Sequence, residues 1–337
     1  MTSLTPRIIF YMVLPTILWA GNAIVGRLAV GTISPIMLNS IRWSLAALIL
    51  LPLGWRVFKT NSVLWQNKIR FLLLGLLGVG SYNSLLYLSL ETSTPINVTL
   101  IGGSMPMWML LIGALFYQQK AQARQMFGAV ISLLGVVIVL SRGDLLSILD
   151  VKLVIGDLFI LLATILWGFY SWMLSHPGKS TERQWHWAEF LLAQVVFGVF
   201  WSITFLSYEV ALDAVQLEIN VWTVLLLIYI AIGPSLIAYR CWGLGVSAVG
   251  PSLAAFFANC FLGALGFSWG ATLLAAGGAS STIVTTVAPT CALGRAGGLM
   301  LSLTRGTDSA FFLDNTSSVL SANKSGSSNS PSHNKAK

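Results

Sequence analysis

The sequence predicts an all-α integral membrane protein, a ten-helix inverted repeat of two five-helix halves, on three observations. Apolar residues make up 56% of the 337 residues and charged ones only 9%, where a soluble domain carries about 25% charged residues. The apolar residues fall in continuous runs of about 20, enough to cross a bilayer as a helix, without the alternation that membrane β-strands show. A four-residue stretch also recurs 148 positions apart, each copy opening a set of five runs.

The runs occupy 8–30, 35–57, 69–90, 95–118, 124–142, 154–174, 187–208, 222–242, 250–275 and 280–303. Pro35, Pro95 and Pro251 stand at or near helix starts, where the missing N–H has no intrahelical partner to lose. The first run resembles a signal peptide, with Arg7 before it and Ala20-Gly21-Asn22-Ala23 within it. It continues past Asn22 into another span, so it reads as a retained helix. The tenth run holds Pro289, Arg295 and Gly297-Gly298, which make it a poor spanning helix.

Lysine and arginine set the orientation. With the N-terminus in the cytoplasm, that side holds Arg7, Arg56, Lys59, Lys68, Arg70, Lys120, Arg124, Lys179, Arg183 and Arg240, against Arg27, Arg142 and Lys152 opposite. A bacterial inner-membrane location follows as the expectation. The net charge of +8 belongs mostly to these loops, and no basic stripe interleaved with aromatics points to nucleic acid. Cys241, Cys260 and Cys291 are odd in number and widely spaced, which fits neither a disulfide framework nor a zinc site.

Thr16-Ile17-Leu18-Trp19 recurs as Thr164-Ile165-Leu166-Trp167. Leu72-Leu73-Leu74 with Gly80 likewise matches Leu225-Leu226-Leu227 with Gly233, and Pro95 matches Pro251. The predicted organisation is a first repeat over 1–150, a second over 151–304 and a polar tail over 305–337 rich in Ser and Asn. Because five is odd, the second copy enters the membrane from the other side. Many secondary transporters use such a repeat for alternating access.

Trp19-Ala20-Gly21-Asn22 through Gly26-Arg27, Arg42-Trp43, Tyr82-Asn83 through Tyr87, and Pro95-Ile96-Asn97-Val98-Thr99-Leu100 together resemble the pattern of EamA-type carriers in the drug/metabolite transporter superfamily. Trp167-Gly168 and Gly250-Pro251 through Asn259 echo it, so the resemblance covers roughly residues 8–259. It implies ten helices, cytoplasmic termini, a central cavity between helices one to four and six to nine, and export of amino acids or related metabolites. The pattern departs after Asn259. A reading-frame change, a replaced C-terminus and ordinary divergence all account for that departure, and the first two make an inactive copy an alternative to a working one.

Polar groups deep in a span need a partner or a wet cavity. Arg42, eight residues into the second helix, stands as anchor for a substrate carboxylate or half of a gating pair, with a structural pair or snorkelling as the alternative. Glu189, at the matching place in the second half, is its candidate partner or a proton-coupling carboxylate. Asp157 fits a helix N-terminal charge. Asn22, Asn83 and Asn97 are candidate pathway residues or helix–helix glue. Trp19, Trp167, Tyr82, Tyr87, Tyr170 and Tyr239 are candidate pathway walls or interfacial residues. No phosphate loop, HExxH or paired-cysteine motif occurs, so neither an enzyme, a cofactor nor a metal site is expected. The expected partners are a small-molecule substrate, a proton or other ion, lipid and a second copy of the chain. Competing readings are an importer or facilitator of the same fold, and a membrane enzyme or scaffold.

Overall fold

The computed structural model describes residues 5–120, 122–140, 154–176 and 185–259, and everything in them is helix, turn or loop save one isolated bridge between Ile33 and Leu217. The helices are α1 (Pro6–Ala29), α2 (Pro35–Phe58), α3 (Lys68–Thr92), α4 in two pieces (Pro95–Gly102 and Met105–Phe116), α5 (Ala123–Leu140), α6 (Ile155–Ser175), α7 (Trp187–Ala211), α8 (Val221–Val249) and α9 (251–259). Among the described residues six helices, α1, α2, α3, α6, α7 and α8, are long and apolar enough to cross a membrane. The chain is therefore a multi-pass membrane protein by its helices. The expected spans beyond 259 and the polar tail lie outside the described residues.

Local sequence explains most helix starts. Pro6 and Pro35 occupy the first turns of α1 and α2, and Thr5 caps α1. Asn220 Oδ1 accepts from the Thr223 amide at 2.9 Å to cap α8. The Asp157 side chain folds back on the Val154 amide at 3.1 Å, the reciprocal half of a capping box.

Two features are absent from the sequence-based expectation. Helix α4 breaks at Gly103-Ser104, and the Asn259 side chain of α9 donates to the Gly103 carbonyl. Helices α3 and α8 each pass through one π-helical segment, Gly75–Ser81 and Ala231–Ile237. Such bulges frequently mark functional sites in helices. The two lie at matching places, 156 residues apart.

Pairs of contacts fix the helix directions. Asn22 meets Tyr87 and Arg27 meets Leu90, so α1 and α3 run parallel. Thr92 meets Gly156 while Gly78 meets Tyr170, so α3 and α6 are antiparallel. Helix α2 faces α7 from Ser34–Glu209 through Ser40–Ser202 to Gly54–Ala188, again antiparallel. Trp19 meets Pro234 and Met12 meets Gly245, so α1 opposes α8. Helix α6 thus runs opposite to α1, α7 to α2 and α8 to α3.

Glycine sets the closest of these approaches. A Cβ on Gly75 would lie 2.6 Å from the Gly198 amide nitrogen and 2.8 Å from the Gln194 carbonyl. The α3 and α7 backbones touch there, as small residues permit inside membranes.

Candidate functional site

Arg42 sits where α1, α2, α3 and α8 converge, with none of its surface exposed. Its Nε donates to Ser235 Oγ at 2.6 Å. Its Nη1 reaches three oxygens, Asn22 Oδ1 at 3.2 Å, Asn83 Oδ1 at 2.9 Å and Tyr87 OH at 2.6 Å. Two protons are shared among three acceptors on that nitrogen, while buried Nη2 has no partner among the described residues. All four partners are neutral. The guanidinium also lies over the Trp43 ring at 5.0 Å and the Tyr87 ring at 5.8 Å, where the ring faces attract cations.

The surrounding polar groups hold one another. Tyr87 donates to Asn22 Oδ1 at 2.8 Å. Asn83 Nδ2 donates to the Gly78 carbonyl at 3.0 Å and to Tyr239 OH at 2.9 Å. Tyr239 in turn donates to the same Gly78 carbonyl, and Ser235 donates to the Ile230 carbonyl at 2.7 Å. Gly78 and Ser235 belong to the two π segments. A π turn leaves a carbonyl out of the regular ladder, and side chains of this network take up such groups.

An aromatic cluster adjoins the arginine. Trp167 packs against Trp19, Tyr82, Tyr170, Tyr239 and Trp242, with ring centroids between 4.5 and 5.8 Å. Trp43 meets Tyr239 edge-on at 4.8 Å. Trp19 Nε1 donates to the Pro234 carbonyl at 3.1 Å, whereas Trp43 Nε1 and Trp167 Nε1 are buried without acceptors among the described residues.

The structure therefore gathers Asn22, Arg42, Asn83, Tyr87 and Tyr239 into one network, with Trp19, Tyr82, Trp167 and Tyr170 beside it. Asn97 is not among them. It lies half-buried in the first turn of α4, its amide bonded to Thr94 Oγ1 at 3.2 Å. Glu189 is not an Arg42 partner either. It opens α7, accepts from the His186 amide at 3.2 Å, and lines a crevice with Arg56 and Lys59. Asp157 accepts from Ser93 Oγ at 2.5 Å and ties α6 to α3.

Sequence reasoning missed Ser235, Asn39 and Glu209. Asn39 Nδ2 reaches the Val79 and Gly80 carbonyls, Ser84 Oγ and Ser202 Oγ at 3.0 to 3.3 Å. Glu209 accepts from Ser34 Oγ at 2.8 Å and from the amides of Ile36 and Met37 at 3.3 and 3.1 Å. The signal for both was periodic: Ser202 and Glu209 are seven apart on α7, hence on one helix face.

Known proteins resemble the chain at several levels. The "Uncharacterized transporter YyaM" of Bacillus subtilis (strain 168) is 24% identical over 239 residues, 69% of this chain and 75% of its own length. An "Uncharacterized transporter" of Archaeoglobus fulgidus is 24% identical over 48% of this chain and 54% of its own. A solved crystal structure shares the fold with a TM-score of 0.62 at 17% identity, over 88% of this chain and 96% of the other. The model of the EamA-like transporter family matches residues 6–141. That match spans α1 to α5.

Proposed function

We propose that this chain is a secondary transporter that works by alternating access, exporting amino acids or related carboxylate metabolites across the bacterial inner membrane, with the Arg42 network as its substrate site. The observation that carries the reading is the buried guanidinium with neutral partners and an unused Nη2. A cation within a membrane is costly unless compensated. Around Tyr239 three buried donors lack acceptors among the described residues: Arg42 Nη2, Trp43 Nε1 and Trp167 Nε1. A ligand that brings acceptors and negative charge answers both deficits, and a carboxylate on a small amphipathic molecule does so against flat aromatic walls.

The site draws on both halves, with Asn22, Asn83 and Tyr87 from the first and Ser235 and Tyr239 from the second. The opposed directions of α1 and α6, α2 and α7, and α3 and α8 support an inverted repeat. So does the α2–α7 seam: adding 148 to 54 and 40 gives 202 and 188, so the Gly54–Ala188 and Ser40–Ser202 contacts exchange under the repeat. Rocking of the halves would part Ser235 from Arg42 and admit substrate. The excess of Lys and Arg in the loops supports a cytoplasmic N-terminus.

Counterflow in proteoliposomes tests this. Amino acids and the amines that lack their carboxyl group are offered in parallel. Exchange of acids but not amines, lowered at least tenfold in Arg42→Met, is expected. Equal exchange of the amines, or full exchange by Arg42→Met, refutes the site. Comparing everted and right-side-out vesicles reads the direction.

A further inference from the structure

We propose that the Glu209 carboxylate is the gate at the end of the bundle where α2 begins and α7 ends, and that its negative charge holds that end shut. The inference rests on the transporter reading above, and the N-terminus-inside orientation makes that end extracytoplasmic.

Glu209 is buried in the last turns of α7, and its three donors, Ser34 Oγ and the amides of Ile36 and Met37, all belong to the start of α2. Ser34 is the N-cap residue of α2 yet makes no side-chain cap of its own. The carboxylate from α7 does that work, taking helix amides that otherwise lack partners. The clamp thus joins one helix from each half, and its charge is held by neutral donors and by the positive end of α2. The connecting segments close over it. Ser34 donates to the Gln216 carbonyl at 2.9 Å, Glu218 donates to the Thr32 carbonyl at 2.8 Å, and Gln216 Nε2 reaches the Gly31 carbonyl at 2.8 Å.

The opposite end of the same seam differs. Subtracting 148 from 209 gives Asn61, which carries no charge. Asn61 lines a crevice of about 250 Å³ together with Arg56, Lys59, Ser62, Trp185 and Glu189. One end of the α2–α7 seam is thus fastened by a carboxylate, and its repeat-related end holds a crevice instead. This asymmetry is the form an alternating-access carrier takes when shut on one side.

The charge is what the clamp depends on. A carboxylate accepts from all three donors, whereas an amide in its place carries no charge to strengthen those bonds and brings donors of its own. Among the described residues the charged groups on the surrounding elements are Glu91 on α3, Arg27 at the end of α1, and Asp213 and Glu218 in the α7–α8 connection. Arg27 is turned to the Leu90 carbonyl at 2.7 Å.

The test needs no substrate. Ser202, buried beneath the clamp, is changed to Cys in a background with Cys241, Cys260 and Cys291 replaced by Ala. Reaction with a membrane-impermeant maleimide is followed from the α2-start side. Labelling should be slow in the parent and at least tenfold faster in Glu209→Gln, each read against an exposed control cysteine. Glu209→Asp, which keeps the charge, should stay slow and guards against misfolding of the amide variant. Equal labelling of the parent and Glu209→Gln overturns the gate. Fast labelling in Glu209→Asp as well overturns the part given to the charge. Either failure, alongside Arg42-dependent counterflow, leaves the transporter reading standing.

Discussion

Trp19 and Trp167 touch edge-to-face at 5.2 Å, yet among the described residues Trp19 finds an acceptor for its indole N–H and Trp167 does not. The two π segments account for the difference. Trp19 donates to Pro234, and at the 156-residue offset of those segments Pro234 answers to Gly78 in α3. Tyr239 and Asn83 already occupy the Gly78 carbonyl. Trp167→Phe should therefore leave thermal stability in detergent nearly unchanged, while Trp19→Phe, which strands the Pro234 carbonyl, should lose about 1 kcal/mol. Equal losses in the two melts would contradict this assignment.

Tyr87 both accepts from Arg42 and donates to Asn22. Tyr87→Phe removes both bonds but keeps the ring under the guanidinium. We expect a fold that survives and counterflow that falls several-fold, since Asn22 Oδ1 still takes Arg42 Nη1. Unchanged exchange would remove Tyr87 from the site.

Asn39 knits the first π segment to α2 and α7 through one amide nitrogen. Asn39→Leu strands buried carbonyls and should destabilise by about 1–3 kcal/mol. Asn39→Asp should cost more, because it sets a buried anion against those carbonyls. A denaturation series in mild detergent ranks the two, and the reverse order would mean that the amide faces the other way.

Gly75 admits no side chain without moving the α7 backbone. Gly75→Ala should cost about 1–3 kcal/mol by overpacking and lower the yield of folded protein on size-exclusion chromatography. Gly102, where a Cβ meets nothing within 4 Å, serves as the control. A Gly102→Ala loss as large as that of Gly75→Ala would show that close contact at Gly75 does not decide the cost.

The spans were legible because hydropathy is a sum over 20 residues, and Arg42 was legible because a charge inside such a run stands out. Asn22, Asn83 and Tyr87 were found as candidates for the same reason, although only the fold shows that they share one nitrogen of Arg42. Glu209 was lost at a boundary. Apolar character fades at 208, so the residue read as a loop charge, whereas the helix runs on to Ala211. Glu189 drew attention by its match to Arg42, but position in a repeat does not bring two side chains together. The π segments left only Gly75, Gly78, Gly80, Gly233 and Pro234 as traces, and glycine and proline in a membrane helix have many other uses.

Those two segments have a mechanical corollary. A π turn is an α-helix with one surplus residue, and each residue turns an α-helix by about 100°. In α3 the surplus sits between Leu74, packed in the core, and Asn83 and Tyr87, which serve Arg42. Excising one residue from 75–81 would straighten the helix and swing Asn83 and Tyr87 about a quarter-turn off Arg42, leaving the buried lower half in place. The polar face of α3 is thus set by a count of residues, and a single-codon deletion there would disarm the site while sparing the span.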